Sequence, residues 1–156
     1  MVKANSNVMN LLNTTRDAQR KAIEGMYEDT ATIWVKKLVK DPETKKSKNI
    51  DVKLVEDEPC RLSFRTMPST SDAMKNNEFA DYVNQVITLF IRPDIDVPAG
   101  SKIEITRFKN NPSRSKDEWY VRTYRNSALR KVHGVHQEII LMLADKYDKH
   151  GDYIHE

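Results

Sequence analysis

Three groupings of side chains in this sequence could do chemistry, and each asks for something further along the chain. His133 and His136 stand in an H-x-x-H spacing within "KVHGVHQE", which can offer two imidazole nitrogens to a divalent cation. A metal centre needs more ligands than two. The remaining histidines are distant and Cys60 stands alone, so the pair reads as turn and strand-start residues, and no metal is expected. Glu56, Asp57 and Glu58 form an acidic run that a magnesium-dependent nuclease could use, but the run abuts Pro59 and reads as a solvated turn between two strands. Cys60 would become a nucleophile only beside an activating base. Nothing in the sequence brings one to it, and "PCRLSFR" places Cys60, Leu62 and Phe64 on one face of a strand, so the thiol reads as a buried, structural one.

Phosphate chemistry has no foothold either. The four glycines, Gly25, Gly100, Gly134 and Gly151, are isolated from one another, so neither a P-loop nor a dinucleotide fingerprint can be assembled. No catalytic residue and no cofactor is expected. Asn13-Thr14-Thr15 matches a glycosylation acceptor, but it falls inside a helical pattern and is discounted.

The basic residues are more informative. Lys36, Lys37, Lys40, Lys45, Lys46 and Lys48 gather on one polar connection and its flanks, and Arg107, Lys109, Arg114 and Lys116 gather on another. Such tips can touch phosphates without reading base sequence, with Lys45, Lys46, Lys48, Arg114 and Lys116 as the candidates. Solvated loops explain them equally well. The formal charge of +3, from 26 basic against 23 acidic side chains, is too small an excess to diagnose nucleic-acid binding by itself.

At 156 residues the chain suits one domain with extensions, and with 38% apolar and 31% charged residues its core is small relative to its polar surface. Apolar positions from Val8 to Met26 recur at spacings of three and four, which predicts an amphipathic helix, capped by Asn5 or Ser6 and failing at Gly25. Its apolar side, including Leu11 and Leu12 with Arg16 alongside, can pack on its own domain or dock on a neighbouring subunit. Strand patterns follow. "TATIWVKKLV" and "KNIDVKLV" flank the turn-rich "KDPETKKSK" as a hairpin, and "CRLSFR" reads as a third strand. "VITLFIRPDIDVPAGSKIEITRF" reads as two strands joined by a corner from Pro93 to Gly100. "WYVRTY" alternates Trp119, Val121 and Thr123 against Tyr120, Arg122 and Tyr124. Gln137 to Leu143 reads as a last strand, although its apolar residues fall on both parities.

The predicted fold is therefore mainly β: a small antiparallel barrel, or else a sandwich, of six or seven strands with an N-terminal amphipathic helix. The expected organisation is a helical extension over 1–27, a barrel over 28–145 and a polar tail over 146–156, with Tyr153 of the tail as a candidate contact for a partner. Thr66 to Asp81, "TMPSTSDAMKNNEFAD", is a long polar loop, and loops of that length within a compact domain are usually functional or disordered. No secretory signal and no apolar run of about 20 residues is present, so no membrane partner is expected.

The order helix, "MYEDTATIWV", "EDEPCRLSFR", long polar loop, "VNQVITLFIRPDIDVPAGSKIEIT", "WYVRTY" and "HQEIILML" resembles the head closure proteins of tailed bacteriophages and prophages, also called stopper or head-completion proteins. The likeness spans roughly residues 26–144. It is most specific in the F-I-x-P-D-I-D-V-x-x-G-S-K-I stretch and the H-Q-E-I strand, neither of them a catalytic signature. The resemblance implies a structural, non-enzymatic protein of the head-tail junction of the virion, made in the bacterial cytoplasm. It implies a homo-oligomeric ring below the portal and its adaptor, with tail terminator or tail tube on the other side and non-specific contact with packaged double-stranded DNA. It also implies that the loop from Thr66 gates the channel, through Thr66, Met67, Ser69, Asp72, Lys75, Asn76 and Asn77. Leu11, Leu12, Arg16 and Tyr153 are then the candidate subunit or adaptor contacts. Two alternatives stand beside it: a tail terminator or tail-completion protein, and an oligonucleotide-binding module that would stack bases on Trp119, Tyr120 and Tyr124.

Overall fold

The computed structural model describes residues 3–66 and 85–143, with side chains over 6–65 and 86–142. One helix, α1 (Lys3–Glu24), precedes six strands: β1 (Asp29–Lys40), β2 (Ser47–Thr66), β3 (Gln85–Ile91), β4 (Lys102–Arg107), β5 (Tyr120–Val132) and β6 (Gln137–Leu143). All pairs are antiparallel and the sheet closes in the order β1-β2-β3-β6-β5-β4. Closure leaves this sheet without a free edge for another strand to pair with.

The inward face follows the alternation in the sequence. Ile33 of β1, Leu89 and Ile91 of β3, Ile103 and Ile105 of β4 and Ile139 of β6 are fully buried, each stabilising the fold by about 1.5–3 kcal/mol relative to exposure. Cys60 is buried among them, as its strand pattern predicts. On β5 the inward side chains are Tyr124 and Asn126, with Val121 exposed.

Four expectations need correction. The acidic run is not a turn between two strands but a bulge within a single strand, which makes the barrel six-stranded, one of the two numbers expected. Ala31 pairs with Glu58 and Ile33 with Val55, which sets Glu56 and Asp57 opposite Thr32 alone. Asp57 takes a φ of 50°, its N–H is received by Thr32 Oγ1 at 3.3 Å, and β2 bends there as bulged strands do. Likewise β5 runs on past "WYVRTY" to Val132 through a second bulge, where Ala128 has a φ of 72° between the Asn126–Leu141 and Arg130–Ile139 pairs. The helix starts at Lys3, upstream of the expected cap at Asn5 or Ser6, while its end at Glu24, just before Gly25, agrees with the prediction.

The fourth correction concerns residues 92–101. They join β3 to β4, which are not neighbours, so the segment is no simple corner; it crosses β6 and β5 and covers the core. Ile95 and Val97 insert into the hydrophobic cluster. Two buried amides hold the crossing. Gln137 Nε2 donates to the carbonyls of Arg92 and Ile95, both at 2.7 Å, and Asn126 Nδ2 donates to those of Val97 and Pro98 at 3.1 and 3.0 Å. Arg130 adds an ion pair to Asp96. Gly100 closes the turn at a φ of 76°, a conformation that costs glycine nothing and a β-branched residue a great deal.

Closure of the barrel at β1 is locked by one carboxylate. Asp29, 1% exposed, receives the N–H of Phe108 on Oδ1 at 2.9 Å and that of Leu62 on Oδ2 at 3.3 Å. Arg107 Nη1 lies 3.3 Å from Oδ2, and its guanidinium also sits over the rings of Phe64 and Phe108, at 5.4 and 5.0 Å. Removing one partner of such a buried pair leaves the other uncompensated. Asp29→Ala is accordingly expected to lower the unfolding free energy by about 3–5 kcal/mol, read as a shifted urea midpoint by circular dichroism.

Candidate functional site

Two arms leave the barrel, and both carry apolar surface into solvent. The first is α1. Val8 is 56%, Leu11 69% and Leu12 49% exposed, and Arg16 is exposed beside them. Among the described residues only the last turns touch the barrel: Ile23 is half-buried, and Arg20 pairs with Glu24 at 3.0 Å and with Asp94 of the 92–101 crossing. The sequence left self-packing and docking on a neighbour both open, and the stripe of Val8, Leu11 and Leu12 is not packed on its own barrel. A helix without tertiary packing is marginal in water. Its hydroxyls do not strengthen it, since Thr14 and Thr15 turn back to the carbonyls of Asn10 and Leu11 at 2.8 and 2.9 Å.

At the foot of the helix a groove of about 320 Å³ is lined by Ile23, Met26, Tyr27, Arg61, Phe90 and His136. The Tyr27 hydroxyl is buried without a hydrogen-bond partner among the described residues. Burial above all, with Glu24 and Cys60 adding to it, pushes that phenol up to about 12, so it stays protonated.

The second arm is the β1–β2 hairpin, present as predicted. Val35 pairs with Val52, Lys37 with Ile50 and Val39 with Lys48, and paired residues share a face. Val39, Ile50 and Val52, with Leu54 at the foot of the arm, form exposed apolar surface next to Lys37 and Lys48. Sequence reasoning missed this surface. The Ile50-Val52-Leu54 alternation was visible, but alternation alone does not say whether the far side is core or solvent. The tip is built by Asp41, whose Oδ1 receives the N–H groups of Glu43 and Thr44 at 2.9 and 3.3 Å. Those hydrogen bonds hold its carboxyl below the ordinary carboxylate value.

The two basic groups differ. Among the described residues Lys36, Lys37, Lys40, Lys45, Lys46 and Lys48 make no ion pair, whereas Arg107 faces Asp29, Lys109 binds Asp57 at 2.6 Å and Arg114 binds Glu118 at 2.8 Å. Arg114 and Glu118 bracket the 3₁₀ turn Lys116–Glu118, in which Ser115 N–H donates to Glu118 at 2.9 Å. Arg114 is thus a structural clamp, and Lys116 stands next to Asp117 and Glu118. The hairpin tip follows one end of β1, and the second group lies at the other, where Asp29 meets Phe108. They do not form one patch.

The remaining candidates sort as follows. Glu56, Asp57 and Glu58 diverge to three cations, Lys53 at 2.8 Å, Lys109 at 2.6 Å and Arg92 at 3.0 Å, so no shared magnesium position exists among them. Burial raises the Glu58 carboxyl, partly offset by Arg92. For base stacking, Tyr124 is unavailable because it is 2% exposed, and Tyr120 packs edge-on against Phe108 at 6.0 Å. Thr66 is the last residue of β2. Met67, Ser69, Asp72, Lys75, Asn76, Asn77 and Tyr153 lie outside the described residues. His133 and His136 occupy the turn into β6, where Glu138 joins them; the H-x-x-H-x-E spacing was the overlooked signal.

No family model, curated protein or solved structure matches this chain.

Two measurements check these assignments. Burial, with Asp29 adding to it, pushes the Cys60 thiol well above its ordinary range, so Ellman's reagent is expected to find no reactive thiol in the native protein and one per chain in denaturant. Because Leu11 and Leu12 bury nothing of the barrel, the double variant Leu11→Glu/Leu12→Glu is expected to keep the urea midpoint of the barrel, followed by tryptophan fluorescence, within about 0.5 kcal/mol of the parent.

Proposed function

We propose that this chain is a structural component of the neck of a tailed bacteriophage, a head closure protein that assembles as a ring below the portal and adaptor, retains packaged DNA and offers a docking face to the tail. The observation that carries the reading is the apolar stripe of Val8, Leu11 and Leu12 on a helix that reaches beyond its own barrel. Exposed stripes of this kind mark contact with another macromolecule. The closed sheet offers no edge, so copies associate through the arms instead. A helix of one copy resting on a different surface of the next is a head-to-tail contact, and head-to-tail contacts repeated about an axis close into rings.

Other features agree. The most specific part of the resemblance, "FIRPDIDVPAGSKI", is the crossing whose Ile95 and Val97 fill the barrel and whose backbone is gripped by Gln137 and Asn126, so its residues serve structure. The hairpin-tip lysines, which make no ion pair among the described residues, suit a polyanion approached without sequence recognition.

Loss of the chain tests the reading. Particles assembled without it are expected to appear in electron micrographs as tailless heads, full or emptied, and supplying Leu11→Glu/Leu12→Glu protein is expected to leave that defect uncorrected. Intact necks on heads with aberrant tails would instead assign the chain to tail termination, and normal infectious particles would refute a role in the neck altogether.

A further inference from the structure

The turn from β5 to β6 brings together three donors. His133 N–H donates to the His136 carbonyl at 2.8 Å, a tight turn that folds the two imidazoles against each other, with centroids 4.6 Å apart and planes 23° from parallel. Gln137 points inward and is fully buried, so Glu138, the next residue, faces outward on the same side as the rings. Its Oε1 lies 3.2 Å from His136 Nε2 and 3.3 Å from His133 Nε2. Phe90, opposite Glu138 on β3, closes one side with its ring 5.8 Å from that of His136. Lys131, the register partner of Glu138 on β5, makes no ion pair among the described residues.

A hydrogen-bonded cluster is the simpler use of such groups, but it accounts for only half of this one. The His136 contact has hydrogen-bond geometry. His133 Nε2 is buried and has no hydrogen-bond partner among the described residues, although the carboxylate is beside it. Both imidazoles address one carboxylate oxygen, the three donor atoms all lie within 4.8 Å of one another, and the two nitrogen–oxygen spacings match what a cation would need. With metal-ligand bonds of about 2.0–2.1 Å, the edge of a coordination tetrahedron is about 3.3–3.4 Å, against contacts of 3.2 and 3.3 Å here.

We propose that His133 Nε2, His136 Nε2 and a carboxylate oxygen of Glu138 form a binding site for one divalent transition cation of the zinc class. Two imidazoles select such ions over magnesium and calcium, which prefer oxygen. Three protein ligands leave a fourth position to water. Because the ligands bridge the end of β5 and the start of β6, the bound ion would pin the turn that also presents Gln137 to the 92–101 crossing. The site is independent of the proposed neck function.

Full-length protein stripped with chelator and titrated with zinc chloride by calorimetry is expected to take up one ion per chain. Cobalt is expected to give the intense visible bands of a tetrahedral site. His133→Ala and His136→Ala should each weaken uptake at least tenfold, the low end of the loss seen when even an outer-shell partner of a metal is removed. Glu138→Gln, which keeps the shape of the side chain, should do the same should alanine disturb the turn. Circular dichroism in chelator confirms that the variants fold. Absence of saturable uptake, or uptake that persists in the His133 and His136 variants, would overturn the site.

Discussion

The barrel depends on a single buried charge at the place where β1 passes from one neighbour to the other. Along its outer half β1 pairs only with β2, and nearer its start it is shared by β2 and β4. Asp29 stands at that start and addresses both neighbours through its two oxygens, to Leu62 of β2 and to Phe108 just beyond β4. A neutral side chain could accept from both amides, but it would leave Arg107 half-enclosed without a counter-charge. Phe108 itself holds a φ of 64°, a conformation that costs a bulky residue of order 1–3 kcal/mol. The carboxylate and the guanidinium over its ring hold it there, so the strained residue and the buried ion pair stand or fall together.

The same economy governs the crossing from β3 to β4. A segment without sheet pairing that passes over a core would bury carbonyls with no donors, at a cost comparable to lost hydrogen bonds. Asn126 and Gln137 supply those donors from inside the barrel wall. Each occupies an inward position that the strand pattern would give to an apolar side chain, and each amide group satisfies two carbonyls at once, while the Gln137 Oε1 is left buried with no hydrogen-bond partner among the described residues.

What could be read from the sequence followed from local periodicity, and what could not was set by tertiary context. Ile87-Leu89-Ile91, Ile103-Ile105 and Gln137 to Leu143 lie in strands because alternation, or a short apolar run bounded by turns, is a local property. The β1–β2 hairpin and the end of α1 at Gly25 were equally local. The bulges at Glu56-Asp57 and Ala128 were not, because a charged, proline-flanked run and "RNSALRKV" carry the composition of turns, and only pairing with Thr32 and with β6 shows that the strands continue. The crossing reads as a corner in sequence because no sequence pattern says that β5 and β6 lie between β3 and β4. Among the candidate site residues, the exposure of Leu11, Leu12 and Arg16 follows from the helix having nothing beneath it, which a hydrophobic stripe cannot disclose. Arg114, a candidate phosphate contact by sequence, is instead paired with Glu118 four residues on, a proximity that depends on the 3₁₀ turn between them.

The arms leave the core with almost no stake in them. Val8, Leu11 and Leu12, like Val39 and Ile50, can be exchanged without disturbing Asp29, Asn126 or Gln137, so selection on what the arms touch is uncoupled from selection on folding. Such a chain can drift to follow a changing counterpart over evolutionary time while its fold stays in place, and divergence is expected to concentrate in the arms before it reaches the barrel.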